Sequence, residues 1–215
     1  MADRNPPTRT VLNREYIATV ALDLIDQIGL AKFSMRKLGA ELGVDPMAVY
    51  RHYADQEALY DGIAELLFDR LDPDSLPWAK DWRALCTAYC ERLRGTLLDH
   101  PHAVTVFASR PVRSPAAIAT GNRMIEALRD AGFTPAYALQ VARCLREFTI
   151  GHVLTMAVLS VGAERRSRKP APDDPTYNLL AEAADGAAPG EHFQLGLTAM
   201  LDGFSAASGR TRARR

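Results

Sequence analysis

The segment 33–53, FSMRKLGAELGVDPMAVYRHY, contains the residues whose types and spacing best suit a binding chemistry. It has two helical stretches separated by Gly43, and the second stretch opens at Asp45 and ends in Tyr-Arg-His-Tyr. A short helix with aromatic, Arg and His side chains, supported by a second helix, can place those side chains in the major groove of DNA. The pattern therefore predicts a helix-turn-helix that reads DNA.

Individual side chains of this segment can be assigned to different parts of a DNA duplex. Met47 and Ala48 can contact thymine methyl groups, and Arg51 can reach guanine edges or phosphate. The other predicted contacts are to the phosphate backbone. They come from Arg36 on the supporting helix, from Tyr50 and His52 on the reading helix, and from the first turn of the next helix, near Gln56. The complete predicted DNA-binding set is Arg36, Pro46, Met47, Ala48, Tyr50, Arg51, His52 and Gln56.

The charge of the chain does not by itself indicate a nucleic-acid partner. Lys and Arg number 26, as do Asp and Glu, and the net charge is zero. Residues 1–60 carry seven basic and eight acidic residues, so the usual basic signature of a nucleic-acid binder is missing. Two alternatives stay open: a plain three-helix subdomain with Tyr50 and Tyr53 partly in its core, or a helical module that binds a ligand or another protein without sequence-specific DNA binding.

The elements that must position these residues are helices, because apolar residues recur at helical spacing in nearly every long segment. The predicted fold class is all-α. Asn13, Ser34, Asp45 and Asp55 are predicted N-caps, since their side chains can accept first-turn N–H groups. The predicted organisation is a flexible arm over 1–12, a helix-turn-helix domain with a connecting helix over 13–72, a helical C-terminal domain over 73–207 and a disordered basic tail over 208–215.

The C-terminal domain is predicted to consist of six helices. A mobile loop is predicted over 163–175, where charged residues mix with three prolines. The segment from Thr134 to about residue 160 is roughly 27 residues long, or about 40 Å at the helical rise, and a helix of that length usually has a partner along it. The other predicted helices cover 81–100, 101–111, 114–132, 176–185 and 191–207.

The run LDLIDQIGLAKFSMRKLGAELGVDPMAVYRHYADQEALYDGIAE resembles the signature of the TetR (tetracycline-repressor) family of homodimeric regulators. The frame RKLGAELGV…VY.HY…EAL is kept without gaps within about residues 13–72. The pieces DWRALCTAYCERLRGTLLDHP, ASRP, EFTIGHVL and HFQLGLTAMLDGF are similar to the tetracycline-repressor subclass. The resemblance implies a repressor that binds a pseudo-palindromic DNA operator as a homodimer and is released by a small organic effector held in the C-terminal domain.

The resemblance also implies a dimer seam built from two helices of each subunit. Segments 148–160 and 193–204 would form a four-helix bundle between subunits. Gly151, Gly196 and Gly203 suit that seam because small residues let helix backbones approach closely. The alternative is that these glycines pack inside one subunit.

An apolar, partly aromatic effector cavity with a few polar anchors is expected in each C-terminal domain. Its predicted lining is Trp82, Tyr89, Leu93, Phe107, Met124, Glu147, His152 and Met156, although each of these could be ordinary core. Alignment with the tetracycline repressors puts Phe107 and Thr155 where a His and a Glu help to hold a magnesium–drug complex, and Tyr89 and Asp72 at two drug-contacting positions. Magnesium prefers oxygen ligands, so we expect an effector other than tetracycline–magnesium, with no bound metal and no cofactor.

Other classes of function lack motifs in this chain. We find no G-x-S-x-G, H-E-x-x-H, phosphate-binding glycine loop or dinucleotide fingerprint, and therefore expect no enzyme. Cys86 and Cys90 lie four residues apart without two further metal ligands nearby, which favours packing. The start has no apolar leader, and the most apolar run, 148–161, is about 14 residues and too short for a bilayer. A cytoplasmic protein without a membrane partner is expected.

Overall fold

The computed structural model describes residues 12–110, 113–161 and 191–212, and within these ranges the chain is helical, with no strand. The predicted all-α fold class is confirmed. Short 3-10 turns at Leu30–Lys32 and Pro73–Ser75 join some of the helices. The α-helices are α1 (Arg14–Ile28), α2 (Met35–Glu41), α3 (Pro46–Tyr50), α4 (Gln56–Arg70), α5 (Trp82–Asp99), α6 (Val104–Ser109), α7 (Pro115–Asp130), α8 (Pro135–Val161) and α9 (Glu191–Arg212).

The first four helices begin where the predicted caps stand. Asn13, Ser34, Asp45 and Asp55 each accept a backbone N–H from the first turn of their helix, over N···O distances of 2.8, 3.3, 2.8 and 2.7 Å. Such a cap is worth about 1 kcal/mol compared with alanine. Pro46 occupies the first position of α3, where its missing N–H leaves no hydrogen bond unmade. The predicted caps are confirmed, and they fix where each short helix starts.

Two glycines set the geometry between α2 and α3. Gly43 has a φ of +66°, a left-handed conformation that glycine adopts without strain, and it turns the chain between the two helices. A Cβ at Gly39 would lie 3.1 Å from three atoms of Pro46. The absence of a side chain at Gly39 thus lets α2 and α3 approach closely, and the predicted helix-turn-helix is present.

Helix α4 packs on both halves of the chain. Its inner residues Leu59, Ile63 and Leu67 are fully buried, and it contacts α1 on one side and α5 and α6 on the other. The core around α1–α4 continues into α5 and α6 through residues such as Leu93 and Val104. Asp72, at the predicted boundary 72/73, has a φ of +48° and precedes the 3-10 turn Pro73–Ser75.

A second core lies between α5, α7, α8 and α9. Cys86 and Cys90 are buried in it, and burial raises the pKa of the Cys86 thiol to about 12 and that of Cys90 to about 11. Both thiols are therefore neutral packing groups. Helix α8 is 27 residues long, as predicted, and contacts α5, α6, α7 and α9.

Gly196 differs from its predicted role at a seam between subunits. A Cβ at Gly196 would lie 2.7 Å from a ring carbon of Phe148 in the same chain. The Phe148 ring fills the space that a partner helix would need, so Gly196 packs inside the subunit, as the alternative held. Nothing lies within 4 Å of a Cβ built at Gly151 or Gly203, and both residues face solvent in the single chain.

The last helix is longer than predicted. Helix α9 continues to Arg212, although we expected it to end near 207 with a disordered tail from 208. Residues 208–212 contain no proline and two arginines, and basic residues favour a helix C-terminus because they oppose its negative dipole end. The predicted helix 176–185 and loop 163–175, and the arm except for Leu12, lie outside the described residues. Within those residues, no helix has the length and apolar character needed to cross a membrane.

Candidate nucleic-acid interface and ligand cavity

Helix α3 has one buried side and one exposed side. Val49 is fully buried against the core, whereas Met47 is 65 % and Tyr50 is 40 % exposed. Arg36 on α2 and Arg51 at the end of α3 are also exposed, and neither forms an ion pair with any described residue. The exposed side of the short helix thus carries large apolar and cationic groups that have no partner within the described chain.

Tyr53 fixes the end of the reading segment. It is 2 % exposed, its hydroxyl donates to the backbone oxygen of Arg14 at 2.9 Å, and the Arg14 guanidinium lies 4.1 Å from the centre of its ring. Arg14 also donates to the backbone oxygen of His52. Burial raises the pKa of the Tyr53 hydroxyl. Tyr50 and Tyr53 therefore have different environments, and only Tyr53 belongs to the core.

The predicted DNA-binding residues divide by exposure. Arg36, Met47, Tyr50 and Arg51 are exposed, and their side chains are free to contact a duplex. The side-chain amide of Gln56 donates to the Tyr60 hydroxyl at 2.7 Å. The half-buried members are Pro46, Ala48, His52 and Gln56.

Sequence reasoning missed two lysines beside the supporting helix. Lys32 and Lys37 are exposed, and the Lys37 ammonium donates to the backbone oxygen of Lys32 at 2.8 Å. Lys37 directly follows Arg36, so the helix start presents two adjacent cations. Their position on either side of the Ser34 cap was the available signal.

A cavity of about 440 Å³ lies between α4, α5, α6, α7 and α8. It has four of the eight predicted ligand residues on its wall: Tyr89, Phe107, Met124 and Glu147. The remaining wall is mostly apolar but contains two guanidinium groups that were not predicted. Its other residues are Phe68, Cys86, Ala117, Thr120, Gly121, Ile125, Leu139, Ala142, Arg143, Leu145 and Arg146.

The other four predicted ligand residues lie elsewhere. Trp82 packs edge-on against Phe133, with ring centres 4.9 Å apart, and Leu93 is fully buried in the core shared with α1 and α4. His152 accepts a hydrogen bond from Arg94 at 3.2 Å. Met156 is half-buried outside the cavity wall. His152 and Met156 follow the cavity-lining part of α8 by more than one helical turn, and that displacement takes them away from it.

Tyr89 and two arginines are the polar groups of the cavity wall that bear on ligand binding. Burial raises the pKa of the Tyr89 hydroxyl to about 12, against the opposing effect of Arg146, so Tyr89 is a neutral phenol at physiological pH. The Arg146 guanidinium lies 5.3 Å from the centre of the Phe107 ring. Arg143 and Arg146 lie three residues apart on α8, and this spacing of two arginines in a largely apolar helix was the signal that could have identified them.

The cavity wall does not fit a magnesium ion. Among the described wall residues, Glu147 is the one carboxylate, and there is no histidine or aspartate, whereas magnesium prefers several oxygen ligands. Among the described residues, no three His, Cys, Asp or Glu side chains come together as metal ligands. Thr155 donates to the backbone oxygen of Gly151 and Asp72 lies in the linker after α4, so neither reaches this cavity.

Ion pairs connect the cavity region with the helix that follows the reading segment. Arg110, at the end of α6, pairs with Glu57 and Asp61 of α4, with its Nε 3.4 Å from a carboxylate oxygen of Asp61. Its guanidinium lies 5.3 Å from the centre of the Tyr60 ring. Because Phe107 of the same short helix lines the cavity, α6 contacts both the cavity and the first two turns of α4.

A second polar link joins α1 with the α5–α6 connection. His100 Nδ1 lies 2.6 Å from a carboxylate oxygen of Asp26, and its Nε2 lies 2.7 Å from the Arg70 guanidinium. His102 also lies beside Gly29, at the end of α1. The helix-turn-helix is therefore attached to the C-terminal part by polar contacts as well as by the shared core.

Comparisons with known proteins agree with this geometry. Residues 17–63 match the bacterial regulatory proteins of the tetR family, and residues 76–207 match the tetracyclin repressor-like C-terminal domain. The chain is 29 % identical to the class A tetracycline repressor from transposon 1721 of Escherichia coli over 199 residues, which cover 91 % of this chain and 92 % of that protein. It is also 29 % identical over 216 residues to an HTH-type transcriptional regulator of Saccharopolyspora erythraea, covering 96 % and 90 %.

Solved structures share the fold. TetR from Acinetobacter baumannii AYE superimposes with a TM-score of 0.77 at 26 % identity, covering 92 % of this chain and 99 % of that one. ActR of Streptomyces coelicolor, solved with actinorhodin, has a TM-score of 0.75 at 22 % identity, covering 93 % and 100 %. With its helix-turn-helix, its cavity and these matches, the chain belongs to the tetR family of bacterial regulatory proteins and is a dimeric, ligand-responsive, DNA-binding transcriptional regulator.

Proposed function

We propose that the two α3 helices of a dimer read the two halves of a pseudo-palindromic operator, and that an organic molecule in the cavity of about 440 Å³ releases the repressor from it. The main support for the proposal is the exposed side of α2 and α3. Its arginines, Arg36 and Arg51, form no ion pair with any described residue, while the opposite side of α3 packs in the core through Val49. A regulator of this kind acts in the cytoplasm, where bacterial DNA lies, and has no catalytic role.

The reading surface supports a division of labour between side chains. Arg51 and Met47 project from the exposed side of α3, where a guanidinium can bond guanine edges and a thioether can contact thymine methyl groups. Arg36 and Lys37 lie on the supporting helix, which in a helix-turn-helix crosses the DNA backbone. We therefore assign base readout to Arg51 and Met47, and phosphate contacts to Arg36, Lys37 and Tyr50.

The dimer seam is best placed on α8 and α9. Leu195 is 73 % exposed, and the exposed residues Ala199, Gly203 and Ala206 follow it at four- and three-residue steps along α9. A single chain leaves this small, apolar face open to water. Gly151 on α8 has open space beside its backbone, which suits the close approach of a partner helix.

Effector control follows from the two contacts of α6. Phe107 lines the cavity. Arg110, just after the same helix, forms ion pairs with the first two turns of α4, the helix that follows the reading segment. An effector that prefers a shifted α6 favours the arrangement of α4 with lower DNA affinity. Its effect on DNA binding cannot exceed its differential affinity for the two arrangements, and such coupling is typically about 1–3 kcal/mol, or roughly 5–150-fold.

The test is a quantitative binding comparison on the operator and on a version changed at one base pair in each half-site. Arg51→Ala should reduce the preference between the two duplexes, whereas Arg36→Ala should weaken both equally. Two phosphate-contacting cations in each subunit, Arg36 and Lys37, give about four contacts and a slope of log affinity against log salt near −3.6. The opposite pattern for the two variants would reject the residue assignments, and a slope near zero would favour a protein partner instead of DNA.

A further inference from the structure

We propose that the effector is an organic anion: an apolar, largely aromatic skeleton with one acidic group that docks on Arg143 and Arg146. The inference rests on the proposed function, because it names the chemical class of molecule that the cavity takes. Its source is the pair of guanidinium groups on the cavity wall.

Arg143 and Arg146 differ from most arginines in the C-terminal part of the chain. They lie three residues apart, so both face the same side of α8, and both line the cavity. Neither forms an ion pair with a carboxylate of any described residue. By contrast, carboxylates of described residues pair with Arg83, Arg92, Arg110, Arg123 and Arg129.

An unpaired guanidinium beside an apolar cavity favours an anionic ligand. Arg146 is half-buried and its guanidinium lies over the Phe107 ring, 5.3 Å from the ring centre. This ring contact leaves its N–H groups able to donate to an acceptor. Carboxylates accept two parallel N–H bonds from one guanidinium, and such charge-assisted bonds are roughly twice as strong as neutral ones. An anion from solution would therefore supply the partner that the described residues do not provide.

The charge balance of the wall also selects against a cation. The described residues of the wall carry two positive charges, from Arg143 and Arg146, and one negative charge, from Glu147. Arg143 and Glu147 are both exposed, so water and salt screen these two opposite charges more than they screen the half-buried Arg146. The least screened charge on the wall is therefore positive. Tyr89 remains a neutral hydroxyl that can donate a further hydrogen bond to an acidic group, because burial raises its pKa to about 12.

The rest of the wall sets the form of the skeleton. Phe68, Phe107, Met124 and Ile125 present aromatic and aliphatic surface. A volume of about 440 Å³ is within the range of sites for drug-sized molecules. A fused or linked pair of aromatic rings with one acidic substituent matches both the volume and the polarity of this wall.

The experiment compares two fluorescent probes that share a skeleton and differ in charge. The anion is 8-anilinonaphthalene-1-sulfonate, and the uncharged analogue, N-phenyl-1-naphthylamine, lacks only the sulfonate. Each is titrated into the purified full chain without DNA, and Kd and stoichiometry are measured. The anion should bind one site per chain at least about tenfold more tightly than the analogue, since a hydrogen bond to a charged group contributes about a factor of ten or more to affinity.

Variants then locate the source of this preference. Arg143→Gln combined with Arg146→Gln should raise the Kd of the anion about tenfold or more and that of the analogue less than about threefold. The double lysine variant should keep much of the preference, because it keeps both charges. Arg129→Gln, an exposed arginine paired with its neighbour Asp130, is the matched control and should change neither Kd. Gly121→Trp should block both probes, since Gly121 lines the cavity and has open space beside it.

Three results would each overturn the proposal. They are an analogue that binds as tightly as the anion, a double glutamine variant that changes the Kd of both probes equally, and binding that persists in Gly121→Trp. Thermal unfolding of each variant shows that it is folded before its Kd is compared. No DNA enters these titrations, so a failure of operator recognition would reject the regulatory function and leave the anion preference to be judged separately.

Discussion

Gly62 should be intolerant of a methyl group although it lies in the middle of a helix. A Cβ at Gly62 of α4 would overlap the hydroxyl oxygen of Tyr53 and would lie 2.8 and 2.9 Å from two of its ring carbons, where ordinary contacts begin near 3.4 Å. The Tyr53 ring cannot move aside freely, because it is buried, bonded to the backbone of Arg14 and covered by the Arg14 guanidinium. Gly62→Ala must therefore displace the residue that fixes the end of the reading segment.

The expected cost of Gly62→Ala is about 1–3 kcal/mol of unfolding free energy. Overpacking a filled site costs about 1–3 kcal/mol, and weakening the Tyr53 hydrogen bond costs about 1 kcal/mol more. The higher helix propensity of alanine returns about 1 kcal/mol. Tyr53→Phe removes the atom closest to the new methyl group. The double variant Gly62→Ala with Tyr53→Phe should therefore lose less unfolding free energy than the two single variants lose in sum, by at least about 0.5 kcal/mol.

Urea unfolding at one fixed protein concentration measures these values, since the stability of a dimer depends on concentration. Gly95→Ala is the matched control: Gly95 lies inside α5 and has nothing within 4 Å of a built Cβ. That change should stabilise the chain by up to about 1 kcal/mol. The reasoning is refuted if Gly62→Ala stabilises as much as Gly95→Ala, or if Gly62→Ala and Tyr53→Phe are additive.

Three further predictions concern other parts of the chain. Burial, and to a smaller extent the nearby Arg94, lowers the pKa of His152 in the folded chain. The contribution of His152 to stability is therefore complete above its unfolded pKa of about 6.5 and declines as the pH falls through its folded pKa. His152→Gln should flatten this part of the pH profile of urea unfolding. Arg110 is 15 % exposed, and a double-mutant cycle of Arg110→Met with Glu57→Gln should give about 0.3–1 kcal/mol of coupling. Leu195→Lys should dissociate the dimer in sedimentation experiments, because it puts a charge at the proposed seam.

Matched variants show whether these effects are specific. Ile118→Lys introduces the same charge at an apolar residue that is 57 % exposed on α7, outside the proposed seam, and should leave the dimer intact. Arg129→Gln removes an arginine whose carboxylate partner is its neighbour and should change stability by less than about 0.5 kcal/mol. A pH profile unchanged by His152→Gln, a coupling near zero for Arg110, or a dimeric Leu195→Lys would contradict the respective prediction.

The helix-turn-helix could be predicted because local rules encode each of its boundaries. Asn13, Ser34, Asp45 and Asp55 cap helices in the structure as their side chains require. Gly43 adopts the positive φ that the turn between the helices needs. These features depend on a few neighbouring residues, and a single sequence contains all of the necessary information.

The cavity could be only half predicted, because residue type does not reveal which side of a helix faces an empty space. Tyr89 lines the cavity while Leu93, one turn further along α5, is fully buried core. Arg143 and Arg146 were not among the predicted lining residues, because the sequence does not show how α7 packs against α8 beside them. Gly196 shows the same limit, since the ring of Phe148 decides whether that glycine serves the subunit or the dimer.

Selection of bound sequences from randomised duplex DNA, at moderate salt and without ligand, tests the central claim most directly. A dimer that presents two α2–α3 pairs to DNA should enrich a pseudo-palindrome. Its two half-sites should lie about one helical turn of DNA, or a multiple of it, apart. A folded, dimeric sample that enriches no sequence, or one without two-fold symmetry, would contradict the account of α3 as the element that reads an operator.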